Sequence, residues 1–237
     1  MIALTNAFNE KVILALDTPS PKDAWHFLEI VGKEIKYVKV GHRLYFLGGS
    51  EFVSDLVKTG YNVFLDLKFH DIPNTVAMAL QPLMDAGLWS LTLHAAGGRA
   101  MLEAAVKEKE RSRARTRLFG VTILTSHSDE SWKEVNPGSF FEDTITARAI
   151  LCEKTGLDGL VCSPSDLNII DSQVSSNFLK IVPGIRLERS LDDQMRALTP
   201  GEAVRAGASY LVIGRPLLKA EDPLRVLKEI KSQLGED

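Results

Sequence analysis

Eight short runs rich in β-branched residues recur along the chain with helical patterns between them: KVILALD, YVKVG, NVFLDLK, SLTLHA, RLFGVTIL, GLVCS, LKIVPG and YLVIGR, the last followed by a helical DPLRVLKEIKSQL. Runs that are apolar on both faces belong in a parallel sheet, because the crossover between parallel strands needs a covering element that buries the second face. Eight strand–helix units in 237 residues predict an α/β fold, a (β/α)8 (TIM) barrel, rather than an open doubly wound sheet. No Gly/Ser-rich linker, composition break or low-complexity segment divides the sequence, so residues 1–237 read as a single domain.

In such a barrel the functional site lies at the carboxyl ends of the strands. Polar residues concentrate there. Asp17 ends the first run, Lys39 sits near the end of the second, and Asp66 and Lys68 end the third. His94 ends the fourth, Thr125 and Ser126 follow the fifth, and Gly214 and Arg215 close the eighth.

The third run continues as VFLDLKFHDIPNTV, residues 63–76. Asp66 and Lys68 are two apart, which puts them on one face of a regular strand, and Lys39 on the neighbouring strand reaches the same space. Asp71 follows, and Pro73 suits the first turn of the next helix. A structural ion-pair network is the plain reading of these charges. Burying charge costs several kcal/mol per ion before pairing, however, and a hydrophobic replacement is often as stable, so two Lys and two Asp make poor glue. A functional site is the better reason to keep them. Carboxylates around a lysine favour its charged form, which suits it to neutralise a developing carbanion and then protonate it. An Asp facing a substrate carboxylate strains the ground state, and the strain is relieved as carbon dioxide leaves. Together the groups suit decarboxylation. Separately, Gly214 permits close backbone approach, Arg215 can grip phosphate bidentately, and barrel phosphate sites form around strands seven and eight. The alternative for Arg215 is a surface ion pair.

The segment DLKFHDIPNT resembles the D-x-K-x-x-D-I-P-x-T signature of the orotidine 5'-phosphate decarboxylase family. The resemblance covers essentially the whole chain, through LALD, KVG at Lys39, LTLHAAGG, LTS, VPGIR with a later DDQ, and VIGRP. D-x-K-x-x-D alone is shared with related sugar-phosphate barrels; the IPNT continuation and the distal motifs carry the specificity. The resemblance implies decarboxylation of orotidine 5'-monophosphate to UMP and carbon dioxide, the last step of de novo UMP synthesis, with no metal or cofactor. No cofactor motif is evident in the sequence. By similarity, Lys68 protonates C6 of the pyrimidine, Asp66 lies near the departing carboxylate, and Lys39 and Asp71 complete the charged array. Asp71 and Thr75 enter the site of the other subunit, which implies a homodimer with shared sites. Asp17 and Lys39 bind ribose hydroxyls with help from Thr75, and Ser126 bonds the pyrimidine. Gln194, Gly214 and Arg215 hold the phosphate, and Thr125, Pro183 and Arg186 complete the substrate-binding set. The polar segment GIRLERSLDDQM, residues 184–195, is expected to act as a lid over the phosphate.

The remaining features are expected to be structural. A net charge of −3 and a sequence pI of about 6.0 favour neither nucleic acid nor an anionic membrane as a partner. The dense charge run KEKERSRARTR, residues 107–117, interleaves Glu108 and Glu110, lacks aromatics and reads as the solvated end of a helix. No run approaches the roughly 18 apolar residues of a membrane span, and MIALTNAFNEKV lacks the features of a signal peptide, so a cytoplasmic location is expected. Cys152 and Cys162 read as reduced core thiols. His94 and the following Gly-Gly turn are assigned to strand-to-helix packing without a catalytic role. Two other functions fit a charged barrel mouth: a Mg2+-dependent sugar-phosphate decarboxylase or aldolase, which a chelator would inhibit, and a nucleotide-binding protein that binds UMP without turnover.

Overall fold

The eight runs form eight parallel strands in the computed structural model, which describes residues 7–187 and 198–235. They are β1 (Val12–Ala15), β2 (Tyr37–Gly41), β3 (Asn62–Phe69), β4 (Ser90–His94), β5 (Arg117–Val121), β6 (Gly159–Val161), β7 (Leu179–Pro183) and β8 (Tyr210–Ile213). Each pairs with its sequence neighbours, and β8 returns to β1 to close the barrel. One covering helix follows each strand: α1 (Pro21–Val31), α2 (His42–Lys58), α3 (Pro73–Met84), α4 (Gly98–Arg111), α5 (Phe141–Lys154), α6 (Leu167–Asp171), α7 (Pro200–Arg205) and α8 (Pro223–Gln233). Additional helices at Ala7–Lys11, Asp129–Val135 and Arg215–Leu218 lie before β1, between β5 and α5, and between β8 and α8.

Alternation along the strands sorts their side chains into two cores. Val38, Val40, Val63, Leu65, Leu91 and Leu93 face outward and join the helices in the larger one. Ile13, Tyr37, Phe64, Phe119, Ile181 and Val212 point into the barrel, joined at its base by Trp89. The base is aromatic, with ring centroids 4.9 Å apart for Tyr37 and Trp89, 4.8 Å for Trp89 and Tyr210, and 6.3 Å for Phe64 and Phe119. The Arg117 guanidinium lies 5.6 Å from the Trp89 ring. The amino-terminal end of the barrel is therefore plugged.

Local sequence chemistry sets the helix starts. The Ser20 side chain accepts the Asp23 N–H at 3.2 Å, with Pro21 in the first turn of α1. Pro73 opens α3 as the sequence leads one to expect, and Thr199 and Glu202 form a capping box on α7. The charge run at 107–117 ends α4 and enters β5, tied down by ion pairs. Arg111 grips Glu108 at 2.7 and 2.8 Å, and Lys109 reaches Asp158 at 2.6 and 2.8 Å. Cys152 and Cys162 are buried free thiols. Among the described residues no helix is long and apolar enough to cross a membrane.

Candidate active site

The pairing of β3 with β4 is regular through Leu65 and Leu91 and resumes at Phe69 and Leu93. Asp66, Leu67 and Lys68 therefore stand opposite the single residue Thr92. Such a bulge breaks the ladder and re-aims the bulged side chains. Lys68 takes φ +49°, in the left-handed region, at a typical cost of about 1–3 kcal/mol for a residue other than glycine. Its Nζ ends 2.9 Å from Asp66 Oδ2. Asp66 and Lys68 meet, as their spacing suggests, but through a bulge rather than through regular alternation.

Lys39 enters from β2, where its register places it between Ala15 and Phe64. Its Nζ lies 3.6 Å from Asp66 Oδ2 and 3.5 Å from Asp17 Oδ1. The four charges thus form an alternating row, Asp17–Lys39–Asp66–Lys68. The row is most buried at its centre: Lys39 and Asp66 side chains are 14% and 13% exposed, against 58% for Asp17 and 28% for Lys68. Burial pushes the Asp66 carboxyl up, but the neighbouring Lys39 and Lys68 charges and hydrogen bonds from Lys68 and Thr92 outweigh it. The carboxyl is held below its ordinary range, so Asp66 is a carboxylate at neutral pH.

The row borders a cavity of about 380 Å3 at the barrel mouth. Phe64, Val121, Val161 and Val212 make its inner surface apolar, and Thr125, Ser126, Pro183, Arg186, Gly214 and Arg215 are among the residues that line it further out. Gly214 eases this closeness, since a Cβ there would lie 3.1 Å from Ala15 Cβ, a tight contact that a shift of a few tenths of an ångström would have to relieve. Asp17, Lys39, Asp66 and Lys68 also border a second cleft of about 320 Å3, bounded by Gly41, His42 and Arg43. Among the described residues no group of three His, Cys, Asp or Glu side chains is arranged to hold a metal ion.

The sequence-derived site residues fall into three sets. Asp17, Lys39, Asp66, Lys68, Thr125, Ser126, Pro183, Arg186, Gly214 and Arg215 all line the mouth. Asp71 and Thr75 do not; both are exposed at the start of α3, and Asp71 Oδ1 accepts the N–H of Ile72 at 2.6 Å. Gln194 and most of the expected lid lie outside the described residues. Near Asp71 in sequence, Ile72 and Met78 of the β3–α3 segment are exposed, as are Phe46 and Leu47 of α2.

The His94 ring stacks on His70 at 5.2 Å and its Nδ1 accepts the Ala96 N–H at 3.4 Å. Burial, followed by the His70, Arg148, Lys68 and His127 charges, lowers His94 to about 4, so it is neutral at physiological pH. Thr92 is absent from the sequence-derived set. It is fully buried, its Oγ1 donates to Asp66 Oδ1 at 3.0 Å, and it accepts the Lys68 N–H at 2.9 Å. A signal was present: SLTLHA places Ser90, Thr92 and His94 at every second position of a run that otherwise reads as apolar.

Known proteins resemble this chain along nearly its whole length. Residues 10–230 match the family described as Orotidine 5'-phosphate decarboxylase / HUMPS family. An orotidine 5'-phosphate decarboxylase of Hydrogenovibrio crunogenus is 40% identical over 226 residues, covering 95% of this chain and 96% of its own. One from Laribacter hongkongensis is 43% identical over 226 residues, covering 94% and 93%. The crystal structure of orotidine 5'-phosphate decarboxylase from Lactobacillus acidophilus superposes with a TM-score of 0.84 at 32% identity, covering 94% of this chain and 98% of that one.

Proposed function

The chain belongs to the orotidine 5'-phosphate decarboxylase / HUMPS family, and from that premise we propose how its barrel mouth converts orotidine 5'-monophosphate to UMP and carbon dioxide. Decarboxylation of orotidine 5'-monophosphate, in pyrimidine biosynthesis, is the activity of the chain. The observation that carries the mechanism is the alternating row of charges along one wall of a cavity whose inner surface is apolar, with Lys68 Nζ 2.9 Å from Asp66.

In this reading Gly214, Arg215 and Gln194 hold the phosphate and Asp17 and Lys39 the ribose hydroxyls. Thr125 and Ser126 hydrogen-bond the base against Phe64, Val121 and Val161, and Pro183 and Arg186 bound it on the β7 side. The C6 carboxylate then faces Asp66. The bond from C6 to the carboxylate breaks, its electron pair stays on C6, and carbon dioxide leaves. Lys68 passes a proton from Nζ to C6, giving UMP and a neutral amine that regains its proton from water. One lysine about 4 Å from the developing charge supplies on the order of 4 kcal/mol at an effective dielectric near 20. Large enzymatic accelerations need roughly 8–23 kcal/mol. The rest comes from preorganisation of the row and from phosphate binding energy expressed at the transition state.

A homodimer completes the site. Asp71 and Thr75 face solvent in the single chain, exposed Ile72, Met78, Phe46 and Leu47 offer apolar surface, and the second cleft gives access to Lys39 and Lys68. Asp71 of one chain enters the second cleft of the other. A cytoplasmic location goes with this reading.

The test is the fall in ultraviolet absorbance of orotidine 5'-monophosphate on adding protein, with EDTA present and with Lys68→Ala alongside. Turnover by the wild type alone is expected. Wild-type turnover in Lys68→Ala removes the proton-donor role, and loss of activity with EDTA turns the reaction toward Mg2+-dependent chemistry. Mixing inactive Asp71→Ala with inactive Lys68→Ala tests the shared site: in randomly mixed two-fold dimers about a quarter of sites regain both groups. No recovery on mixing refutes the sharing.

A further inference from the structure

We infer that Thr92 is a positioning residue for the decarboxylation, its single hydroxyl fixing both the Lys68 backbone and the Asp66 carboxylate; this rests on the roles proposed above for Lys68 and Asp66. The bulge creates the need. With Asp66, Leu67 and Lys68 set against one residue of β4, the regular ladder is interrupted at Lys68, and the Lys68 N–H turns to Thr92 Oγ1 at 2.9 Å. The hydroxyl proton is directed to Asp66 Oδ1 at 3.0 Å. A hydroxyl has one proton to give, and here one bond is given and one accepted in a single orientation.

The consequence for the charged row is geometric. Asp66 Oδ1 is taken by Thr92, while Oδ2 faces both lysines, at 2.9 Å from Lys68 Nζ and 3.6 Å from Lys39 Nζ. The plane of the carboxylate is thereby fixed from two sides. The Lys68 backbone, at φ +49°, is in a conformation that persists only where its surroundings over-determine it, and the Thr92 bond is one of those determinants. Thr92 has no exposed surface, so replacing its hydroxyl by a methyl group leaves a partly buried N–H without this acceptor and a carboxylate oxygen without this donor. Residues 66–68 then relax, and Lys68 Nζ leaves its place beside Asp66. Thr92 touches no substrate in this scheme; it acts through the two residues that do.

The experiment compares Thr92→Val, Thr92→Ser and Thr92→Ala with the wild type and with Lys68→Ala, measuring kcat, KM and UMP affinity. Misplacing a catalytic group by about 1 Å costs on the order of 100-fold. Thr92→Val is therefore expected to lose about 10- to 100-fold in kcat, with KM and UMP affinity changed by less than about threefold, because the phosphate and ribose groups sit on other strands. Thr92→Ser keeps the hydroxyl and is expected within about threefold of the wild-type kcat. Hydrogen exchange at the Lys68 amide should be faster in Thr92→Val than in Thr92→Ser. If Thr92→Val does not fold, the contrast between Thr92→Ser and Thr92→Ala reads the hydroxyl instead. Equal kcat in the hydroxyl-bearing and hydroxyl-lacking variants, with Lys68→Ala inactive, overturns the inference and leaves the roles of Lys68 and Asp66 standing. Wild-type turnover in Lys68→Ala overturns both.

Discussion

Inside the barrel, Tyr37 and Phe64 point inward among Trp89, Phe119 and Tyr210, with Phe64 reaching the floor of the cavity; two residues further along the same strands, the inward positions are Lys39 and Asp66. Alternation makes these pairs equivalent in direction, so the strands place an aromatic layer beneath a charged one. Each buried ring contributes roughly 1.5–3 kcal/mol through burial, with about 0.5–1.5 kcal/mol more from well-placed ring pairs. The charges above them cost several kcal/mol each in desolvation before their mutual attraction offsets it. One end of the barrel carries stability, and the other uses it to hold a reactive arrangement.

The sharpest way to break that contrast is at Lys68. Lys68→Ala should lose at least about 10⁴-fold in turnover, while its urea midpoint stays near the wild-type value, because Asp66 keeps Lys39 at 3.6 Å and Thr92 at 3.0 Å. A large loss of stability would make the row structural after all. Phe119→Ala is the complementary experiment. Phe119 is fully buried beside Phe64 and Trp89, and its truncation should cost about 3–5 kcal/mol of unfolding free energy, with kcat unchanged at temperatures where the protein remains folded. Impaired kcat there would show that the base transmits strain to the mouth.

Arg215→Ala sharpens the contrast within the mouth itself. Arg215 is exposed and lines the main cavity far along the sequence from the charged row. Its loss should lower kcat/KM for the phosphorylated substrate by about 10- to 100-fold, and leave kcat/KM for the nucleoside orotidine unchanged. Equal losses for both substrates would remove the phosphate contact.

These contrasts also explain what was legible beforehand. The eight strands could be read because apolar runs and their spacing are local properties, and Pro73 and the Asp66–Lys68 spacing are local too. The bulge is not local. DLKF reads as an ordinary alternating strand, and only its pairing with β4 sets three residues against Thr92. The contacts of Thr92 are non-local in the same way, with partners 24 and 26 residues away, and only its alternation with Ser90 and His94 marks it in the sequence. Conversely, the charge run at 107–117 is distinctive in the sequence, and its residues close a helix with ion pairs, tie it to Asp158 and set Arg117 against Trp89 at the base.

The smallest expected effect lies at the edge of the mouth, at His94. Its folded value of about 4 is below the ordinary 6.5, so between those two pH values the unfolded chain binds a proton that the native protein refuses. Unfolding free energy should therefore fall as pH drops from about 6.5 toward 4 and be insensitive to His94 above that window. His94 is only partly buried, and solvent screening keeps the effect at about 1 kcal/mol or less. Asp66 acts in a separate range: its carboxyl is lowered below 3.8, so its contribution is complete above that value and is lost only as pH falls further. His94→Gln should flatten the slope of the urea midpoint between pH 6.5 and 4 while leaving the steeper loss below it. Phe119→Ala should lower the whole curve without changing its shape, because no titrating group of the row is removed. If His94→Gln keeps the upper slope, burial of the His94 ring does not set the pH dependence in that range.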